Sequence, residues 1–346
     1  MSGNFGYKKH MRPRVIVEDR IPFIKGMLEP VADVVYLPSA QIDAAAMKDA
    51  DALVTRTRTR CDASLLDGSR CRFIATATIG TDHIDLEYCR NHGVDVANAP
   101  GCNAPGVGQY VCRALLEIYG KERLQGMTLG VVGVGNVGKI VERWARGLGM
   151  HTLLCDPPRA EKEGGAGFVT LDEIYDRADV ITFHTPLTRS GEYPTYHLFD
   201  ADVLSKLGRK PVIINAARGA VVDNRALLAA LESGAVSGAV IDCWEEEPDI
   251  DRRLLDRCEI ATPHIAGYSR EGKIRATVMA VEAVCDHFGF PYPHWDEKPG
   301  PVPETVTAEA VMSSYDIVAD TAALKSAPES FESLRNSYNF RPEPRN

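Results

Sequence analysis

The chain predicts an α/β protein: a Rossmann-type nucleotide domain joined to a second parallel-sheet domain. Three observations predict it. Short β-branched runs alternate with helix-patterned segments from Arg14 to His264. Most of those runs are apolar throughout, as strands covered on both faces must be. One of them, TLGVVG at 128–133, leads straight into a glycine-rich turn and a helical pattern. Strands alternating with helices build parallel sheets, because each crossover must carry the chain back to the same edge.

The first series of expected strands is RVIVE (14–18), VVYL (34–37), ALVTR (52–56), RFIATATI (72–79) and VDVANA (94–99). Helical spacing lies between them, as in QIDAAAMKDA (41–50). The second series is TLGVVG (128–133), HTLLCD (151–156), VITFH (180–184), VIINAA (212–217), GAVIDCW (238–244) and EIATPH (259–264). NRALLAALESG (224–234) reads as a helix closed by a C-cap glycine. A long helical pattern covers roughly 270–288. PYPHWDEKPGPVPE (291–304) is rich in proline and glycine and reads as a linker. Beyond it, 305–346 shows one or two short helical stretches, too little to fold alone. The opening MSGNFGYKKHMRP (1–13) is polar and reads as a flexible extension.

Composition bounds the function. A chain of 346 residues is too long for one core and suits two domains with room for an appendage. Lys and Arg total 39 against 48 Asp and Glu, and no basic tract occurs, which argues against a nucleic-acid partner. An anionic ligand must therefore be held by local positive groups. No apolar run reaches the roughly 18 residues of a membrane span, and no secretory signal is visible. The 9 cysteines are scattered and form no C-x-x-C, which speaks for a reducing, cytoplasmic setting without a zinc site.

The sharpest local signal is LGVVGVGNVGK, where Gly133, Gly135 and Gly138 are spaced as G-x-G-x-x-G between a strand and a helix. Gly133 permits the tight turn, Gly135 lets backbone approach a pyrophosphate, and Gly138 lets helix pack on strand. The helix N-terminus then faces the phosphates. Asp156 ends the next strand, eighteen residues after Gly138. An acid there accepts from the adenosine ribose and repels the 2′-phosphate of NADP, so the cofactor expected is NAD.

Three later strand ends release polar groups from apolar runs: Arg218 after VIINAA, Glu247 after GAVIDCW, and His264 after EIATP. Ligands of open α/β sheets bind beyond the carboxyl ends of the strands. Oxidising a 2-hydroxy acid needs a base for the hydroxyl proton, which a neutral His264 can supply. It needs an acceptor that orients the base and stabilises its protonated form, which suits Glu247. It needs a forked cation for the substrate carboxylate, which suits Arg218. Each residue alone has an ordinary structural use. Their arrival together on successive strands of a dinucleotide fold points to catalysis.

With these residues in place, the chain resembles the D-2-hydroxyacid dehydrogenase family over about 14–290. The pieces that carry the likeness are GVGNVG, FHTPL (183–187), INAARGAVVDNRAL (214–227), IDCWEEEP (241–248) and ATPHIAGY (261–268). The resemblance implies an arginine, glutamate and histidine triad at Arg218, Glu247 and His264. It implies a substrate domain from 14–100 and 265–292, a nucleotide domain over 101–264, and a small dimerisation segment in 293–346, hence a homodimer. It also implies cofactor contacts at Gly133, Gly135, Asn136, Val137, Gly138, Asp156, Thr185, Asp242 and Gly267, and substrate contacts at Thr57, Thr78 and Tyr268. ATATIGTDHID (75–85), NAPGCNAPGVGQYV (98–111), LLCDPPRA (153–160), GEYPTYHL (191–198) and HIAGYSREGK (264–273) resemble a branch of the family that acts on a phosphorylated 2-hydroxy acid. The RTRTR run (56–60) fits such a substrate. As the end of a strand it would place Arg56, Arg58 and Arg60 on one face, with Arg56 as the phosphate ligand. Two other readings stay open: a phosphoglycerate- or hydroxypyruvate-type dehydrogenase, and an NAD-sensing co-repressor-like protein.

Overall fold

The computed structural model of the chain describes residues 12–346. Apart from Arg12 and Pro13, the expected N-terminal extension lies outside the described residues. Each expected run becomes a strand: β1 Arg14–Glu18, β2 Asp33–Leu37, β3 Ala52–Thr55, β4 Phe73–Thr76, β5 Asp95–Ala97, β6 Thr128–Val132, β7 His151–Cys155, β8 Val180–Phe183, β9 Val212–Asn215, β10 Gly238–Ile241 and β11 Ile260–Ala261. Most stop short of the expected C-terminal limit, because the chain turns into loops there and leaves the ladder.

The chain divides into two compact units, one of residues up to 102 with 273–299, the other of 103–272 with 300–346. In the first unit the strand order is β2-β1-β3-β4-β5, and every pairing is parallel. Alternate residues feed opposite faces: Val15, Val17 and Val54 join one core, Ile16 and Leu53 the other. Helix Arg270–Phe288 supplies Val281, Val284 and Cys285 to the first of these cores. Trp295, within the expected linker, packs there too, so that stretch is anchored on the unit's core.

The second unit has the order β11-β10-β9-β8-β6-β7, again parallel throughout. Leu129, Val131 and Ile214 face one core with Trp144 of helix Asn136–Gly147 and Tyr110 and Leu115 of helix Ala104–Leu124. Ile181, Ile213 and Phe183 face the other. Burying each such side chain contributes about 1.5–3 kcal/mol. The strand order reverses between β6 and β8. Such a switch point opens a crevice at the carboxyl ends of the strands.

The C-terminal stretch forms three helices, Ala308–Ser314, Ile317–Ser326 and Phe331–Asn336, rather than one or two. Thr307 and Asp316 start the first two by accepting from Ala310 and Ala319 N–H (3.1 and 3.0 Å). Val306, Val311, Tyr315 and Ile317 join one core of the second unit, and Leu324 and Phe331 the other. Too short to bury its own apolar stripe, the stretch borrows the core of the nucleotide unit.

The RTRTR reading needs correction. β3 ends at Thr55, and 56–60 is a loop. Buried Glu18, at the end of β1, accepts from the Arg56 N–H (3.0 Å) and from the Thr55 and Thr59 hydroxyls (3.2 and 3.4 Å). This carboxylate pulls the chain out of extended geometry, so the three arginines do not share one face of a strand. Arg56 donates to the Arg20 carbonyl (3.0 Å), and Arg60 pairs with Asp62 (2.7 Å).

Candidate active site

The turn after β6 occupies the switch point of the second sheet. Gly133 has φ of 87°, a left-handed conformation that a side chain resists. A Cβ on it would lie 2.8 Å from the His184 backbone and 2.9 Å from Thr185 Cγ2. A Cβ on Gly138 would sit 2.1 Å from the Gly133 carbonyl oxygen, so the helix can approach the turn only without a side chain there. Gly135 differs: none of the described residues lies within 4 Å of its would-be Cβ. Asn136 and Val137 open the helix behind it. The Thr185 hydroxyl is buried with no hydrogen-bond partner among the described residues, and so is His184 Nδ1. Burial pushes His184 down to about 3, so its ring is neutral. Open space over Gly135 beside an unsatisfied Thr185 hydroxyl fits a polar ligand laid along this turn.

Asp156 follows β7. It accepts from Val134 N–H (2.8 Å) and caps helix Pro157–Glu163 through Arg159 N–H (3.1 Å). Its carboxylate thus ties the glycine turn to the next strand.

β9, β10 and β11 are neighbours, so their carboxyl ends release Arg218, Glu247 and His264 along one edge of the sheet. Asn215 organises the first loop, donating to the carbonyls of Arg218, Gly219 and Cys243 (3.0, 3.1 and 3.3 Å). A Cβ on Gly219 would fall 1.8 Å from the Trp244 carbonyl oxygen, so only glycine lets the two loops touch. Arg218, just before it, is extended and donates to the Ala217 carbonyl (2.8 Å).

His264 Nδ1 meets both oxygens of Glu247, at 3.0 and 2.9 Å. Glu247 also accepts from Trp244 N–H (2.9 Å). Burial works to raise the Glu247 carboxyl. Its bond to His264, the imidazole charge, the Trp244 N–H and Arg335 outweigh that and hold it below the usual carboxylate range. His264 sits at φ of 58°, which a non-glycine residue adopts only when its surroundings impose it. Asp242 imposes it here. Its carboxylate accepts from Thr262 Oγ1 (2.7 Å), Ile265 N–H (2.7 Å) and Ala266 N–H (3.0 Å), and its carbonyl accepts from His264 N–H (2.9 Å). Burial raises the Asp242 carboxyl against the opposing pull of His264 and these donors. Cys243 lies beside the pair. Burial pushes its thiol well above the ordinary range, so it is a neutral neighbour.

Gly267 and Tyr268 continue the same loop. A Cβ on Gly267 would lie 2.2 Å from Asn103 Nδ2, and Asn103 Oδ1 is buried without a partner among the described residues. Tyr268 packs edge-on against Tyr338 and Phe340. The second unit thus holds Arg218, Glu247, His264, Thr185, Asp242, Gly267, Tyr268 and the glycine turn, while Arg56, Thr57 and Thr78 belong to the first. Thr57 is exposed. Thr78 shares a hydrogen bond with Thr76 (2.6 Å) and donates to the Gly80 carbonyl (3.0 Å).

Asn215, Thr262, Arg335 and Arg341 escaped the sequence reading. Asn215 carried a local signal, a polar residue closing an apolar strand. The arginines carried none, since the loop and helix groups they hold lie 67 to 235 residues away in the chain.

The family description "D-isomer specific 2-hydroxyacid dehydrogenase, NAD binding domain" matches residues 113–266. Erythronate-4-phosphate dehydrogenase of Bacteroides thetaiotaomicron is 46% identical, over 95% of this chain and 97% of its own. The enzyme of the same name from Bacteroides fragilis is 48% identical over the same shares. Among solved structures, NAD⁺-bound 3-phosphoglycerate dehydrogenase of Entamoeba histolytica is 26% identical. It aligns with a TM-score of 0.68, covering 81% of this chain and 96% of its own. Fold and comparisons together define an NAD-dependent dehydrogenase that acts on a CH–OH group. Within that class, the chain belongs to the erythronate-4-phosphate dehydrogenase family of D-2-hydroxyacid dehydrogenases. Among the described residues, no helix is long and apolar enough to cross a membrane.

Proposed function

We propose that the chain oxidises the 2-hydroxyl of 4-phospho-D-erythronate to the 2-oxo acid, a step towards pyridoxal 5′-phosphate, as a cytoplasmic homodimer. The observation that carries the mechanism is the two-oxygen contact of Glu247 with His264 Nδ1. With Nδ1 donating to the carboxylate, the neutral ring keeps its lone pair on Nε2, where it can take the hydroxyl proton. Glu247, held ionised, stabilises the imidazolium that results. Arg218 takes the substrate carboxylate in a forked pair. Arg56 takes the phosphate, with Thr57, Thr78 and Tyr268 as further substrate contacts. NAD, when bound, would accept the hydride from the carbon that bears this hydroxyl. Gly133, Gly135, Asn136, Val137, Gly138 and Thr185 would hold its phosphates and adjoining groups, Asp156 its ribose, and Asp242 and Gly267 its nicotinamide end.

The deciding assay is NADH formation with 4-phospho-D-erythronate beside 3-phosphoglycerate and D-lactate. Turnover of phosphoerythronate alone is expected. Turnover of 3-phosphoglycerate instead would replace the substrate, and NAD binding without turnover of any acid would favour a sensing role. Arg56→Ala is expected to raise KM about 10- to 100-fold with little change in kcat, since a charge-assisted hydrogen bond contributes about 1.5–3 kcal/mol. An unchanged KM would remove Arg56 from the site.

Asp156→Asn keeps an oxygen for the helix cap but removes the charge that repels a 2′-phosphate. Preference for NAD over NADP should narrow by about tenfold, the equivalent of about 1.4 kcal/mol. An unchanged kcat/KM ratio for the two cofactors would leave Asp156 as a cap alone.

A further inference from the structure

Arg335 lies in the C-terminal helix Phe331–Asn336, at the back of the catalytic pair. Its Nη1 stands 3.7 Å from Glu247 Oε2, and its Nε donates to the Tyr268 hydroxyl at 3.3 Å. The side chain is 22% exposed and Glu247 19%, so water screens the contact only in part. Glu247 is thus gripped by the Trp244 N–H, by His264 and by a guanidinium.

A second arginine fixes the segment in place. Arg341 is buried and donates to the carbonyls of Ile265 (3.0 Å), Ala266 and Gly106 (3.2 Å), and to Gln109 Oε1 (2.9 Å). Its own carbonyl accepts from Arg270 N–H (2.9 Å). Ser269 donates to Glu343 (2.7 Å), whose N–H donates to Glu271 (2.9 Å). The tail therefore holds the loop that follows His264 at residue after residue. The phosphoglycerate dehydrogenase described above aligns over nearly its whole length, yet about a fifth of this chain lies outside that alignment.

We infer that Arg335 is a positioning residue for the Glu247–His264 pair, delivered by the C-terminal segment and locked there by Arg341. The inference rests on the reading of His264 as the base. A guanidinium 3.7 Å from Glu247 Oε2, an oxygen that also meets His264 Nδ1, holds the carboxylate in line with the imidazole. It also shares the negative charge that would otherwise favour the imidazolium. The other groups around the pair are Asp242 below His264, the neutral Cys243, Arg218 on the neighbouring strand end, Tyr268, and Glu332, whose carboxylate is 3.9 Å from Arg335. Asp242 and Glu332 favour the imidazolium, and Arg218 and Arg335 oppose it. Removing Arg335 tips this balance toward protonation.

The test is the pH profile of kcat/KM for phosphoerythronate oxidation in wild type, Arg335→Gln and Arg335→Lys. NAD affinity and melting temperature are measured alongside. In Arg335→Gln the acid limb should move to higher pH by about one unit, with the plateau lowered and NAD affinity kept. Arg335→Lys should return the limb toward wild type and serves as the test if the glutamine variant does not fold. A limb in the wild-type place in both variants, with KM raised instead, would make Arg335 a substrate anchor and overturn the inference. A wild-type profile with no acid limb, with chemistry shown to limit the rate, would overturn the base reading itself, and the inference with it.

Discussion

His264→Ala is expected to lower kcat for oxidation by about 10²–10⁴-fold, the contribution of a positioned general base. The imidazole is held by Glu247 on Nδ1, and its backbone is fixed at φ of 58° by the Asp242 carboxylate and carbonyl. That arrangement serves orientation, so losing the ring costs the chemistry rather than the fold. NAD affinity, read by calorimetry, should stay within a few-fold, because the glycine turn lies on other strands of the sheet. The sign of the pH effect follows from the role. A base must be neutral to take a proton, so kcat/KM for oxidation should fall on the acid side as the base becomes protonated. Glu247, held below the ordinary carboxylate range, stays ionised at neutral pH. A His264→Ala enzyme that retains kcat would remove the residue from catalysis.

Substituting the two flanking glycines of the turn should separate folding from cofactor binding. In Gly138→Ala the new methyl would stand 2.1 Å from the Gly133 carbonyl oxygen and 3.3 Å from Val131. Backbone cannot yield as a flexible side chain can, so helix Asn136–Gly147 must lift from β6. Overpacking of this kind costs about 1–3 kcal/mol and sometimes more. It would also loosen the Trp144 face of the core. A lower melting temperature and weaker NAD binding should appear together. Gly135→Ala meets nothing within 4 Å among the described residues. Its melting temperature should match wild type while NAD binding weakens at least about tenfold, because the methyl would occupy the space left for the pyrophosphate. Equal NAD affinity in Gly135→Ala and wild type would move the phosphates away from this turn.

Much of this molecule was legible in the chain because its signals are local. An apolar run of four to eight residues between helical patterns has few options besides a covered parallel strand, and all eleven runs became one. G-x-G-x-x-G reads at sight because three backbone constraints fall within six residues. Glu247 and His264 could be paired in advance, since neighbouring strands of a parallel sheet present their ends side by side.

What misled was also local. RTRTR looks like more of the strand before it, and nothing nearby shows that Glu18, 38 residues earlier, claims the Arg56 N–H. The C-terminal stretch reads as an appendage because its apolar residues are too few to make a core. Only the packed structure shows them completing two cores of the nucleotide unit.

By itself, then, the sequence determined the two sheets, the dinucleotide turn and which polar groups leave the strand ends, since each follows from spacing within one or two elements. The tertiary structure alone decided what holds those groups in place. Asp242 beneath the histidine loop, Asn215 beneath the arginine loop, and Arg335 and Arg341 reaching in from the tail are long-range hydrogen bonds and ion pairs. Their partners are chosen by packing, and no pattern along the chain encodes them.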